Sequence, residues 1–534
     1  MKTRSLTTRS LAGLALVGVA LTAAHGLTAQ APPPVGSLAP LPTPAPAATF
    51  DVFEKSIVEL LAAQRIGTVT SRDLVEKYLA RIRAYDQDGP RLNAMIALNP
   101  RALEEADALD AERRAGRVRG PLHGIPIVVK DNYAAAGMPM TAGSQALAGF
   151  QPGRDAFMVK RLKDAGAVII GKTNLHELAY GITSISSAGG QTRNPYDPTR
   201  NPGGSSGGTG AAVAASFAAA GMGTDTCGSI RNPASENSLF GLRGTAGLSS
   251  RDGIVPLSHS QDIGGPLART VTDLLLMLDY TVGFDPADNT TRASNGHIPR
   301  TYNGSVGDAG QGDVNIGVLT PLFGTAPEDK EVELIVREAI ENLRGLGAGV
   351  VEVPFPELDE LLQNTSVINA EFKFDLLDFL AKYPAAPVHS LGEILLGGKY
   401  HPAVETVLTR ANDVNSRDSD AYQAALAKRE TTRQAVLNEM SKQGITMFVY
   451  PTLRRKPAVI GQPQGGSNCQ LSATTGLPAI SMPAGFTDDG LPVGLELLGK
   501  EWSEPTLLKV AYAYERLVAP RRPPKTTPPL VRAR

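Results

Sequence analysis

The sequence predicts an α/β protein with a largely parallel sheet, on three observations. Apolar runs of strand length alternate with segments of helical period, and this alternation recurs in two separate parts of the chain. The composition, with 42% hydrophobic and 20% charged residues among 534, is that of an ordinary globular protein able to bury a large core.

In chain order, Lys2, Arg4 and Arg9 precede the apolar stretch Leu11 to Ala24, and small residues follow to Ala31. That is the order of a secretory signal. A span needs roughly 20 apolar residues, whereas this run is shorter and broken by Gly13, Gly18 and Thr22. Residues 1–30 are therefore expected to be a signal peptide, leaving no stable membrane span after its removal, with the mature chain secreted or periplasmic. Residues 31–48, rich in Pro and Ala, read as an extended linker.

Helical patterns follow at Phe53 to Gln64 and, behind the capping candidates Thr70 and Ser71, at Leu74 to Ile82. Ile125 to Val129 reads as a buried strand, Ala156, Val159 and Leu162 mark a helix that ends by Gly166, and Ala167 to Ile170 reads as the next strand. The same unit recurs as strand Asn315 to Leu319, helix Glu328 to Leu346 and strand Val350 to Val353. Two strands joined by a helix imply parallel neighbours. Residues 356–442 read as mostly helical and charge-rich, a candidate cap over a site. Thr446 to Tyr450 and, after the turn Asp488 to Gly490, Leu491 to Leu498 read as strands. Residues 521–534, basic and proline-rich, read as a disordered tail.

The net charge of −1 arises from 52 basic and 53 acidic residues without a long like-charge block. Such a chain has no electrostatic footprint for nucleic acid or an anionic membrane, and a small molecule or peptide is the expected partner. Cys227 and Cys469 are too few for a disulfide scaffold. They permit one bridge in an oxidising compartment, and their separation in sequence leaves that pairing open.

Two Gly/Ser clusters dominate the middle of the chain, GGSSGG at Gly203 to Gly208 and GTDTCGSIR at Gly223 to Arg231. Between them the small-residue segment Thr209 to Ala220 suits a closely packed helix that would bring its flanking loops together. As a phosphate loop the first cluster fails, because Thr209 stands where a lysine is required. As a nucleophile elbow it matches at Ser205 and Ser206, but an elbow follows a strand, and Pro195, Pro198 and Pro202 argue against one.

Taken with Lys130 in HGIPIVVKDN (His123 to Asn132), these clusters are similar to those of the amidase signature family. GKTNLHELAYG (Gly171 to Gly181), NPGGSSGG (Asn201 to Gly208), GTDTCGSIRNPA (Gly223 to Ala234), DIGGPLART (Asp262 to Thr270) and TGLPAISMPAG (Thr475 to Gly485) carry the resemblance in order along the chain. It implies a single amidase-signature domain over 49–520, a large mixed, mainly parallel twisted sheet covered by helices on both faces. It also implies a catalytic Ser, cis-Ser, Lys triad in which Ser229 is the acylating nucleophile, Ser205 the bridging cis-serine and Lys130 the base. Ser206 matches a serine that helps hold the lysine. The backbone N–H groups of Thr226, Cys227, Gly228 and Ser229 match the oxyanion hole. No cofactor and no metal are implied.

The chemistry agrees with those residue types. A serine hydroxyl attacks an amide only when a positioned base takes its proton, and a lysine serves only when neutral, which requires desolvation. Alone, Lys130 reads as a surface lysine beside Asp131. His123, His176 and His259 show no metal-ligand spacing and read as second-layer or surface groups. One departure stands out: the family usually has glycine where this chain has Cys227. That leaves Cys227 as an alternative nucleophile, or as a partner for Cys469, which precedes a stretch near the core in relatives.

The resemblance implies hydrolysis of a carboxamide, with release of ammonia or an amine and ester cleavage as a side activity. Three alternatives share the fold: the A subunit of a glutamine amidotransferase, an esterase-dominant hydrolase and an inactive binding protein. The export signal argues against the first, and an intact Lys130, Ser205 and Ser229 against the last. Nothing in the sequence signals an oligomeric state.

Overall fold

A computed structural model of the chain describes residues 50–306 and 314–530. The expected signal peptide and linker lie outside the described residues. The strands are Met95–Leu98 (β1), Pro126–Lys130 (β2), Val168–Thr173 (β3), Ile185–Ser186 (β4), Gly190–Gln191 (β5), Ala220–Asp225 (β6) and Phe240–Arg243 (β7). They continue as Ile263–Ala268 (β8), Asn315–Leu319 (β9), Gly349–Val353 (β10), Met447–Pro451 (β11), Ala479–Phe486 (β12) and Pro492–Gly499 (β13).

All but β4 and β5 join one eleven-stranded sheet in the order β1-β3-β2-β6-β8-β7-β12-β13-β11-β9-β10. The sheet is mixed, as the resemblance implies. Its parallel pairings form two blocks, β3-β2-β6 and β11-β9-β10, where the sequence shows strand, helix and strand in turn. The strands between and including β6 and β11 pair antiparallel. Several of these carry Gly and Pro at close approaches: a Cβ on Gly265 would lie 2.3 Å from the Leu242 carbonyl. Helices cover both faces, as β13 illustrates. A Cβ on Gly494 would meet Ser235 of helix Arg231–Glu236, and one on Gly499 would meet Leu507 of helix Glu504–Val518. Positions an odd number apart on a strand point to opposite faces.

The first two helices start where their caps dictate. Ser56 and Glu59 form a capping box for Ile57–Arg65, and Thr70 and Asp73 one for Ser71–Ile82. Residues 356–442 contain the helices Leu358–Leu362, Ile368–Ala381, Leu391–Gly397, Glu405–Asn412 and Asp420–Lys442. The buried Glu371 ties this layer to the body, accepting from Ser260 N–H at 3.1 Å, from the hydroxyls of Ser258 and Ser260, and from Tyr422 OH at 2.8 Å. No helix among the described residues is long and apolar enough to cross a membrane.

The expected disordered tail needs correction over residues 521–530. Arg81, buried at 1% exposure, donates to the carbonyls of Thr527 at 2.8 Å and Pro528 at 3.0 Å, and Tyr85 OH donates to Pro528 O at 2.8 Å. A buried guanidinium needs acceptors for its donors, and the tail supplies two of them. Residues 531–534 lie outside the described residues.

Candidate active site

Lys130 ends β2, and β6 runs parallel beside it with Val129 opposite Met222. This places Thr224 next to the lysine. The segment Thr209 to Ala220, expected as one helix, is a helix over Gly207–Ala214 that turns into β6 at Ala220. The two elements pack so closely that a Cβ on Gly221 would lie 2.5 Å from Thr209 Cγ2. As a result the loop before the helix meets the loop after the strand. Ser206 N–H donates to Ser229 O at 3.1 Å, and the peptide Gly204–Ser205 is cis.

Lys130 Nζ lies 2.7 Å from both Ser205 Oγ and Thr224 Oγ1. Among the described residues, Ser206 makes no hydrogen bond to Lys130. Its hydroxyl donates to Thr224 O at 3.1 Å and accepts from Thr224 N–H at 3.2 Å, so it acts on the lysine through Thr224. Ser205 and Ser206 are fully buried and Ser229 is 4% exposed. No direct hydrogen bond joins the Ser205 and Ser229 side chains among the described residues, a link that in an unliganded site often tightens only with substrate.

Two buried lysines lie side by side and differ in partner. Lys172 pairs with the Asp131 carboxylate at 2.9 Å. Lys130 has no carboxylate in contact among the described residues, and burial pushes its pKa down to about 7 against the weaker pull of Asp262 and Asp225. A large fraction of Lys130 is therefore neutral at physiological pH. A neutral amine has two N–H groups and one lone pair, so it can donate to Thr224 while accepting from Ser205 O–H.

Asp225, at the end of β6, shapes the loop that carries Ser229. Its carboxylate accepts from Gly228 N–H at 2.7 Å and Ile230 N–H at 3.2 Å, and from Arg231 Nε at 3.1 Å. Arg243 adds a contact at 3.2 Å, and Arg231 also reaches the buried Glu496. Burial alone would raise the Asp225 pKa, but Arg231 and Arg243 hold it well below the carboxylate range. The four backbone N–H groups expected as an oxyanion hole differ in their partners. Gly228 N–H is already engaged by Asp225, whereas those of Thr226, Cys227 and Ser229 have no protein acceptor among the described residues.

Cys227 is bonded to Cys469, with Cα atoms 5.0 Å apart. That resolves the pairing left open by the sequence and removes Cys227 as an alternative nucleophile, because a bridged sulfur has no thiolate to offer. Among the described residues, no histidine ring makes a hydrogen bond to Lys130, Ser205 or Ser229. His123 contacts Leu109 O at 3.0 Å, His176 accepts from Thr183 N–H at 3.2 Å, and His259 meets Asp375 at 3.0 Å. A cavity of about 270 Å³ opens against Thr224, and Asp375 and Phe379 of helix Ile368–Ala381 form part of its wall.

Sequence reasoning missed Thr224, Asp225 and Arg231, although all three stand in the quoted GTDTCGSIR stretch. It also missed Asp262, which opens the quoted DIGGPLART stretch, and Arg243 and Glu496, for which only tertiary contact gives a signal.

Comparison with known proteins places this constellation in context. The family model described as Amidase matches residues 73–508. The chain belongs to the amidase family. It is 34% identical over 492 residues to a probable amidase of Arabidopsis thaliana, covering 89% of this chain and 92% of that protein. It is 37% identical over 483 residues to the A subunit of glutamyl-tRNA(Gln) amidotransferase from Chloroflexus aurantiacus, covering 88% and 97%. Among solved structures it resembles native peptide amidase from Stenotrophomonas maltophilia, with a TM-score of 0.83, 39% identity, and coverage of 89% of this chain and 99% of that one. As an amidase-family protein this chain is an amide-hydrolysing enzyme.

Proposed function

We propose that this amidase works as a serine hydrolase, cleaving a carboxamide through an acyl-enzyme on Ser229. The observation that carries this reading is a fully buried lysine, without a carboxylate partner among the described residues, 2.7 Å from a serine hydroxyl. Neutral Lys130 takes the Ser205 proton as Ser205 takes that of Ser229, and Ser229 Oγ attacks the carbonyl carbon. The N–H groups of Thr226, Cys227 and Ser229 then hold the oxyanion, each such donor being worth about 3 to 4 kcal/mol in comparable sites. The proton returns along the same path to the leaving nitrogen, and ammonia departs as the C–N bond breaks. Water deprotonated by the same relay cleaves the acyl ester and restores Ser229.

Peptides ending in a carboxamide are the proposed substrates, supported by 39% identity to a peptide amidase over nearly all of that protein. The N-terminal pattern supports export, so the substrate would be met outside the cytoplasm. A second reading, a glutamine-hydrolysing component of an amidotransferase, draws on the 37% identity to the amidotransferase relative.

The test uses the mature chain and Ser229→Ala, an alkyl fluorophosphonate with intact-mass readout, and ammonia release from peptide amides, glutamine and matched esters. One adduct and peptide-amide turnover in the parent, both absent from Ser229→Ala, are expected. An adduct that persists in Ser229→Ala sinks the nucleophile, and turnover restricted to glutamine selects the second reading.

A further inference from the structure

We propose that the Cys227–Cys469 disulfide positions the oxyanion loop, so that full turnover requires the bridge to be formed. The proposal rests on Ser229 as nucleophile. Among the contacts that hold the loop from Thr226 to Ser229, three fix the successive residues Thr226, Cys227 and Gly228. Asp225 accepts from Gly228 N–H at 2.7 Å, Thr226 Oγ1 donates to Asp262 Oδ1 at 2.5 Å, and Cys227 is bonded to Cys469 across 242 residues of sequence. Cys227 lies between the other two fixed residues, and its own N–H is one of the three donors left for the oxyanion. The covalent bond is what anchors its side chain.

The far end of that anchor is itself fixed. Cys469 O accepts from Arg231 Nη2 at 3.2 Å, and the adjacent Asn468 Nδ2 donates to the carbonyls of Leu322 and Pro451, both at 2.7 Å. Ser467 Oγ donates to Asn232 Oδ1 at 3.3 Å. Leu322 follows β9 and Pro451 ends β11. The bridge therefore ties the nucleophile loop of one parallel block to the strand ends of the other. Packing there is close, since a Cβ on Gly228 would lie 2.8 Å from Cys469 Cβ. Oxyanion donors act through position, and a displacement near 1 Å costs about a hundredfold in rate.

The experiment compares the parent, Cys227→Ala/Cys469→Ala and Cys469→Ala, with kcat, KM, melting temperature and inhibition by a peptide aldehyde and by the product acid. The aldehyde forms a tetrahedral adduct whose oxygen occupies the oxyanion site, whereas the acid reports ground-state binding. Loss of the bridge should lower kcat about 10- to 100-fold, weaken the aldehyde in parallel, and leave KM and acid binding within about threefold.

Should neither variant fold, the parent is treated with a water-soluble phosphine. Phosphorus takes up an oxygen from water, the S–S bond is converted to two thiols, and the same split in kcat and aldehyde affinity is expected, reversing on reoxidation. Unchanged kcat with the bridge absent overturns the proposal, as does a loss that merely tracks the unfolded fraction. Turnover that survives Ser229→Ala with the bridge intact instead overturns the underlying reading of the nucleophile.

Discussion

Lys130 and Lys172 sit on adjacent strands, both fully buried, yet among the described residues only Lys172 has a counter-ion in contact. Desolvation without a counter-ion disfavours the ammonium, and the pKa of Lys130 falls to about 7. In the proposed mechanism the neutral form is the active base, so kcat/KM should rise tenfold per pH unit below about 7 and level off above it. A pH–rate profile on a peptide amide checks this, and a profile flat down to pH 5 would falsify the assignment. Lys130→Ala should lower kcat by about 10²- to 10⁴-fold. Asp225 is charged for the opposite reason: it is equally buried, but two guanidinium groups compensate it.

Helix Ile368–Ala381 joins the body through Glu371 and Asp375. His259 N–H donates to Asp375 Oδ2 at 2.7 Å, its ring lies 3.0 Å from the same carboxylate, and Arg417 approaches Asp375 at 2.9 Å. The Asp375 hydrogen bond raises the His259 pKa above its ordinary 6.5. A raised imidazole pKa stabilises the folded contact fully below the unfolded value, and that contribution is lost as pH rises through the folded value. Hydrogen exchange in this helix, corrected for intrinsic rates, should therefore speed up on going from pH 6 to pH 9. His259→Ala should remove that dependence while leaving the helix attached through Glu371.

Across the whole molecule, the last described residues close a contact with the first helices. Ending the chain at Pro520 would strip two acceptors from buried Arg81, and unsatisfied donors of this kind cost about 1 to 3 kcal/mol. Chemical denaturation should show that loss, with kcat unchanged because the segment touches no residue of the site.

Elements with a local signal were legible. The capped helices, and the strands at β2, β3, β9, β10, β11 and β13, lie within a few residues of where capping residues and apolar runs put them. The strands β6, β7, β8 and β12 were not legible as strands. Their glycines, such as Gly221 against Thr209 and Gly265 against Leu242, answer to close neighbours in space and erase the apolar alternation. The C-terminal tail misled because proline and basic residues resemble a free end when the buried Arg81 receiving it is 446 residues away in sequence.

By itself the sequence determined the fold class, because capping and periodicity are local properties of a chain, and its short motifs pointed, by resemblance, to Lys130, Ser205, Ser206 and Ser229. Tertiary structure alone decided that Lys130 is buried away from the carboxylate its neighbour Lys172 holds, that Gly228 N–H is taken, and that Cys227 is bridged rather than reactive. Gly228 meets Asp225 only three positions away, though on a carboxylate that Arg243 also holds, and the other two facts depend on burial and contact between distant residues, as with Arg231 and Glu496, 265 positions apart. No local pattern encodes such a meeting; only the packed sheet brings it about.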